Sequence, residues 1–272
     1  MGRPLVDLFG APSPFDPQHT LVTSPFFSSA VLACIRFSVA VYTLVTLVFL
    51  IIWDSVKDQS GGQFFSYFTN LTFTGICAYY WASFVQTAFY TRRRCQGKDG
   101  YPLQSWAKTL QVLHLMLQTT IVTFPILVTV VFWVLLASPE TLGNTLNQYR
   151  NITVHALNTV FCGFEMIFTN NPPPKLLMLP FMILILIGYL GVAYITHETQ
   201  GFYPYSFLDP QKQGPLLAAY IAGIGVAEVL LFGIAWVAMW ARQKFFSRSL
   251  EQMEETESTN EMTERELDKS KV

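Results

Sequence analysis

Residues 144–169 read NTLNQYRNITVHALNTVFCGFEMIFT, and this stretch decides the fold. It is long enough to cross a bilayer, because about 20 helical residues span a hydrocarbon core of about 30 Å. Yet it carries Asn147, Asn151, His155, Asn158, Cys162, Glu165 and Thr169 at spacings of 4, 4, 3, 4, 3 and 4, which is one face of an α-helix. Ile152, Val154, Ala156, Val160, Phe161, Phe164 and Ile167 form an apolar side that lipid or neighbouring helices can accept. Ionisable groups within a membrane are costly unless paired or wetted, so the polar stripe must face the interior of a helix bundle.

The rest of the chain supports a membrane setting. Of 272 residues, 51% are apolar and only 13% charged, well below the roughly 25% charged residues of a soluble domain. Five further segments have the length and apolarity of spans: about 26–53, 64–90, 106–136, 175–196 and 215–241. With 144–169 they predict an all-α, polytopic bundle of six transmembrane helices. Basic residues orient it, since Lys and Arg gather on the cytoplasmic side. With both termini cytoplasmic, the inner segments hold Arg3, Arg92, Arg93, Arg94, Lys98, Lys108, Lys175, Arg242, Lys244 and Arg248, whereas the outer loops hold only Lys57 and Lys212. Without the polar-striped span, Lys175 and the Arg242–Arg248 cluster would not share a side with Arg92–Arg94. The expected organisation is a cytoplasmic leader (1–25), a six-helix domain (26–242) and a disordered, Glu-rich cytoplasmic tail (243–272).

Other spans carry polar groups too. The second opens with Phe65-Ser66-Tyr67-Phe68-Thr69-Asn70-Leu71-Thr72, in which Thr69 and Thr72 share a face. The third carries Gln111, His114 and Gln118 and is interrupted by Pro125. Arg36 in the first span and Glu228 in the sixth each require a partner or an aqueous path. Arg36 has two candidate partners, Glu165 and Glu228, and the sequence does not choose between them.

A Thr hydroxyl is a poor nucleophile near neutral pH unless a base takes its proton, and His is the side chain suited to that task. His155 lies between Asn151 at i−4 and Asn158 at i+3, which can orient an imidazole from either side, and Asn70 beside Thr69 would donate to an oxyanion. Counting about 1.5 Å per residue from the outer helix ends places Thr69 at about 8 Å depth, Thr72 at about 12 Å and His155 at about 16 Å. Depth therefore does not select the Thr.

Tyr67-Phe68-Thr69-Asn70, His155-Ala156-Leu157-Asn158, Thr196-His197 and the run from Gly201 to Asp209 together resemble the androgen-induced membrane protein family. That family includes intramembrane threonine hydrolases that cleave fatty acid esters of hydroxy fatty acids, and rolling-stone proteins are similar in the same regions. The resemblance covers roughly residues 26–242. It implies Thr69 as nucleophile, His155 as base, a membrane lipid or fatty ester as substrate, and residence in the endoplasmic reticulum or plasma membrane. Asn70, Thr72, Asn151, Asn158 and Glu165 are the expected supporting polar cavity. The alternatives are a non-catalytic protein of fusion, adhesion or scaffolding, whose stripes serve helix association, and a proton or solute pathway through Arg36, His155, Glu165 and Glu228.

No cofactor, metal or nucleic-acid partner is expected. His114, His155, Glu165 and His197 lack metal-ligand spacing, and Cys34, Cys77, Cys95 and Cys162 show neither metal spacing nor a pairing pattern. The two glycosylation sequons, at Asn70 and Asn151, fall within predicted spans and read as accidental matches.

Overall fold

The structure is a computed structural model that describes residues 5–269, with side chains described for 5–246. Its main elements are α1 (Ser29–Val56), α2 (Phe68–Cys95), α3 (Lys108–Val131, continued by a π-helical turn Phe132–Leu136), α4 (residues 145–167), α5 (Leu179–Gln200) and α6 (Leu216–Lys269). Helix α4 is composite: Thr145–Ile152, a π-helical turn Thr153–Leu157, then Asn158–Ile167. The described residues contain no strand. The last helix runs on through the acidic segment, and the disorder expected of the tail falls mostly on residues whose side chains lie outside the described ones.

Among the described residues, four helices are long and apolar enough to cross a membrane: Ser29–Val56, Lys108–Leu136, Leu176–Gln200 and Leu216–Phe246. Helix α2 has the length, with 28 residues rising about 42 Å. Its polar side chains, among them Thr69, Thr72, Ser83, Gln86 and Thr87, are buried against neighbouring helices, chiefly α1 and α3. The molecule as a whole is apolar outside and polar within. Val134, Ile195 and Leu230 are more than 60% exposed, whereas Arg36, Glu165 and Glu228 are fully buried. A protein dissolved in water shows the reverse. The chain is an integral membrane protein.

Arg36 and Glu165 lie toward the end of the bundle where Arg92–Arg94, Lys98, Lys108, Lys175 and Arg242 gather, called the basic end below. There Arg36 takes Glu165, not Glu228, as its partner. Its Nε and Nη2 donate to the two carboxylate oxygens at 3.0 and 2.7 Å, and Nη1 donates to the Leu21 carbonyl and the Thr87 hydroxyl. Tyr79 and Asn171 also donate to Glu165 Oε2. Arg242 of α6 donates to the carbonyls of Met166 and Asn171, tying the last helix to the end of α4.

The leader is folded at this same end. Asp16 accepts from the Thr20 and Leu21 amides, the Thr20 hydroxyl and, at 2.6 Å, the Tyr101 hydroxyl. Burial, reinforced by that carboxylate, pushes the Tyr101 hydroxyl well above its ordinary pKa. Lys108 Nζ donates to the Ala11 and Pro12 carbonyls, and Ala11, Phe15, Leu21 and Val22 are buried. Near the opposite end a second seam joins α1 to α4 through Arg150 with Asp54, Thr46 with Tyr149, and Tyr42 with Thr153.

Removing one member of a buried ion pair leaves the other charge uncompensated. Arg36→Ala or Glu165→Ala is expected to destabilise the detergent-solubilised protein by about 3 to 5 kcal/mol, read as loss of the folded fraction in thermal unfolding. The double change Arg36→Met with Glu165→Leu is expected to cost far less than either single change.

Candidate functional site

Helix α2 starts after a 3-10 turn, Gly61–Ser66, that Asn70 fastens by donating from Nδ2 to the Phe64 carbonyl at 2.8 Å. Thr69 is thereby the second residue of the helix, where backbone N–H groups have no intrahelical acceptor. The acceptor is supplied from elsewhere. The Tyr205 hydroxyl lies 3.3 Å from the Thr69 N–H and 3.2 Å from the Thr69 Oγ1, so one phenol reaches both the amide and the hydroxyl. Tyr205 sits in the connection between α5 and α6 and stacks on Phe207, rings 5.2 Å apart and nearly parallel. Tyr189 of α5 donates to the Ser66 carbonyl at 3.0 Å, holding the same turn from the other side.

His155 lies in the π-helical turn of α4. Its ring stacks on Phe132, which starts the π-helical turn of α3, with centroids 3.8 Å apart and planes 8° from parallel. Trp133 of that second turn donates to the His155 carbonyl. Single π turns widen a helix locally and recur at functional sites. Here two such turns meet at one imidazole. Its Nδ1 is buried and has no hydrogen-bond partner.

Thr69 and His155 both line a cavity of about 250 Å³, which also meets Tyr189, Tyr205, and apolar side chains of α3, α5 and α6. Its lining is overwhelmingly apolar, and these four residues supply its polar groups. The arrangement is an aliphatic chamber with a hydroxyl, an imidazole and two phenols on its wall.

The expected supporting residues lie elsewhere, and their hydrogen bonds show why. Asn151 donates to the Thr141 carbonyl, and Asn158 to the carbonyls of Val154 and Pro125. Neither orients the ring, because the π turn breaks the regular spacing that would put all three on one face. Asn70 is committed to Phe64, and Glu165 to Arg36 at the basic end. Thr72 is buried with its hydroxyl unpartnered and does not line the cavity. Glu228 is likewise buried with both carboxylate oxygens unpartnered. Phe132, Tyr189 and Tyr205 were not singled out from the sequence. The run from Gly201 to Asp209 contained Tyr205, and only its contact with Thr69 gives it a role. Among the described residues, no group of three or more His, Cys, Asp or Glu side chains is placed to hold a metal ion.

Fold and cavity together define a polytopic helical membrane protein with an apolar chamber. A family model described as FAR-17a/AIG1-like protein matches residues 33–238, and the chain belongs to that family. No curated protein and no solved structure gives a match.

Asn158 bridges two backbone carbonyls and accepts from the Thr129 hydroxyl at 3.1 Å. Asn158→Ala is therefore expected to lower stability by about 1 to 3 kcal/mol in thermal unfolding, with no selective loss of Thr69 reactivity. A ring-orienting residue would show the opposite pattern.

Proposed function

We propose that the protein is an intramembrane hydrolase of lipid esters, of the type that joins a fatty acid to a hydroxy fatty acid. In this reading Thr69 is the nucleophile and His155 the base. The observation that carries it is the shared cavity: Thr69 and His155 come from different helices and line one apolar chamber. An aliphatic chamber suits an acyl chain, and a free buried imidazole nitrogen suits proton transfer.

The reaction runs in two halves. Thr69 Oγ attacks the ester carbonyl as His155 takes its proton, and the tetrahedral intermediate collapses by expelling the hydroxy fatty acid, which leaves with that proton. Water then attacks the acyl-threonine, giving its proton to His155. Collapse of the second intermediate releases the fatty acid and returns the proton to Thr69. Negative charge on the carbonyl oxygen develops beside the start of α2, where the helix dipole favours it. Tyr205 completes this setting: its hydroxyl holds Thr69 before attack and donates to the oxyanion afterwards.

We read the architecture as six spans, with α2 and α4 crossing alongside the four apolar helices and both termini cytoplasmic. The residence that accompanies this reading is the endoplasmic reticulum or plasma membrane. A non-catalytic role in fusion, adhesion or scaffolding has one observation in its favour. Asn158 and Glu165 of the α4 stripe bond to neighbouring helices, as association alone would require. That reading gives no reason for a chamber with Thr69 and His155 on its wall.

A fluorophosphonate probe and a fatty ester series test the proposal on the purified protein. Thr69→Ala is expected to abolish labelling and turnover, and His155→Ala to reduce turnover by about 100-fold to 10,000-fold. Thr72→Ala is expected to leave both intact. Tyr205→Phe is expected to lower kcat by about 100-fold or more with little change in KM. Absence of labelling and turnover in the unmodified protein would refute the enzyme reading.

A further inference from the structure

The cavity is not sealed from the bilayer. Ile187 of α5 is 59% exposed and Ile221 of α6 is 37% exposed, yet both line the chamber. The wall between these two helices is therefore thin, and its outer surface is the lipid-facing surface of the bundle. The chamber runs along α5. Thr69 and Tyr205 lie beside Tyr189, and the α5 lining extends from Leu190 back to Ile183, about 10 Å along the helix by the α-helical rise. An ester held at Thr69 has an apolar channel leading from it toward the basic end.

Gly225 of α6 is on this wall, and a Cβ built on it meets no heavy atom within 4 Å. The space beside Gly225 is therefore cavity, not packing. Gly in a helix interior costs about 1 kcal/mol relative to Ala, and here its absent side chain leaves volume open inside the chamber. A polar ligand or peptide would lose its hydrogen bonds in so apolar a space. A hydrocarbon chain loses nothing.

We propose that an acyl chain enters from the bilayer between α5 and α6, and that the space at Gly225 sets the length of chain the chamber accepts. This deepens the ester hydrolase reading and rests on it for the reaction, while the occupancy of the chamber by a chain is measured separately.

The full chain in lipid nanodiscs is assayed with nitrophenyl esters from butyrate to stearate. In parallel it is photolabelled with a long-chain fatty acid carrying a terminal diazirine. Three forms are compared: the unmodified protein, Gly225→Leu, and Gly223→Leu, whose position also has open space but does not line the chamber. A single methylene in an apolar pocket discriminates by about tenfold or more, so Gly225→Leu is expected to lower kcat/KM for the long ester by at least about tenfold and spare the short one. It is also expected to remove photolabel from the peptides of α5 and α6. Gly223→Leu is expected to match the unmodified protein, and since Leu is the better helix former neither change threatens α6.

Turnover with an unchanged ratio of long to short esters in Gly225→Leu overturns the chain-length assignment and leaves the hydrolase reading standing. Photolabel lost in Gly225→Leu from a protein that hydrolyses no ester overturns the hydrolase reading and supports the chain site. Photolabel that is absent, or equal in all three forms, overturns the proposed entry and occupancy.

Discussion

A guanidinium buried inside a membrane protein must find a carboxylate, and here Arg36 finds Glu165 with two-pronged geometry. Much of the architecture at the basic end answers that requirement. The pair joins the first helix to the fourth, while Tyr79 and Thr87 bring the second and Asn171 the segment before the fifth. Arg242 extends the connection to the last helix by capping carbonyls at the end of α4. Such groups stabilise little in net terms, because desolvation offsets attraction. Their effect is on specificity, since a bundle assembled in any other register leaves a bare charge in hydrocarbon.

The bundle therefore has two unlike ends. At one, a buried ion pair is bonded by groups from several helices and the leader closes over it through Asp16, Gln104 and Lys108. At the other, hydrogen bonding is looser: two π turns face one another, an imidazole nitrogen is unpaired, and an apolar chamber reaches a helix N-terminus. The ion pair and the chamber are thus placed in different parts of one small domain. One end holds helices in register while the other keeps a void and an unpaired imidazole nitrogen.

The sequence displayed the ingredients better than their arrangement. Apolar length marked α1, α3, α5 and α6, and the stripe from Asn147 to Thr169 marked α4, because both are properties of one helix considered alone. Thr69 and His155 were singled out through short motifs and a resemblance, and the structure puts both on the wall of one cavity. What periodicity misread was the neighbourhood of His155. Spacing by 3 and 4 assumes a regular α-helix, and a π turn has no compositional signature, so Asn151 and Asn158 were placed beside a ring that they do not touch. The choice of Glu165 over Glu228 was equally hidden, since it depends on contacts between helices far apart in the chain. Tyr205 was invisible for the same reason: a Tyr in a connecting loop acquires meaning only from the amide and hydroxyl it reaches.

That last contact has a consequence for biogenesis. Thr69 enters the membrane early, but its phenolic partner belongs to the connection before the final helix, and a chain is made from its N-terminus. During synthesis the bundle holds its Thr and His before it holds the group that completes them. The chamber wall at α6 arrives later still. In the hydrolase reading proposed above, a nascent or truncated chain is thus inert by construction, and the Thr69 hydroxyl gains its full setting only once the last helix has docked.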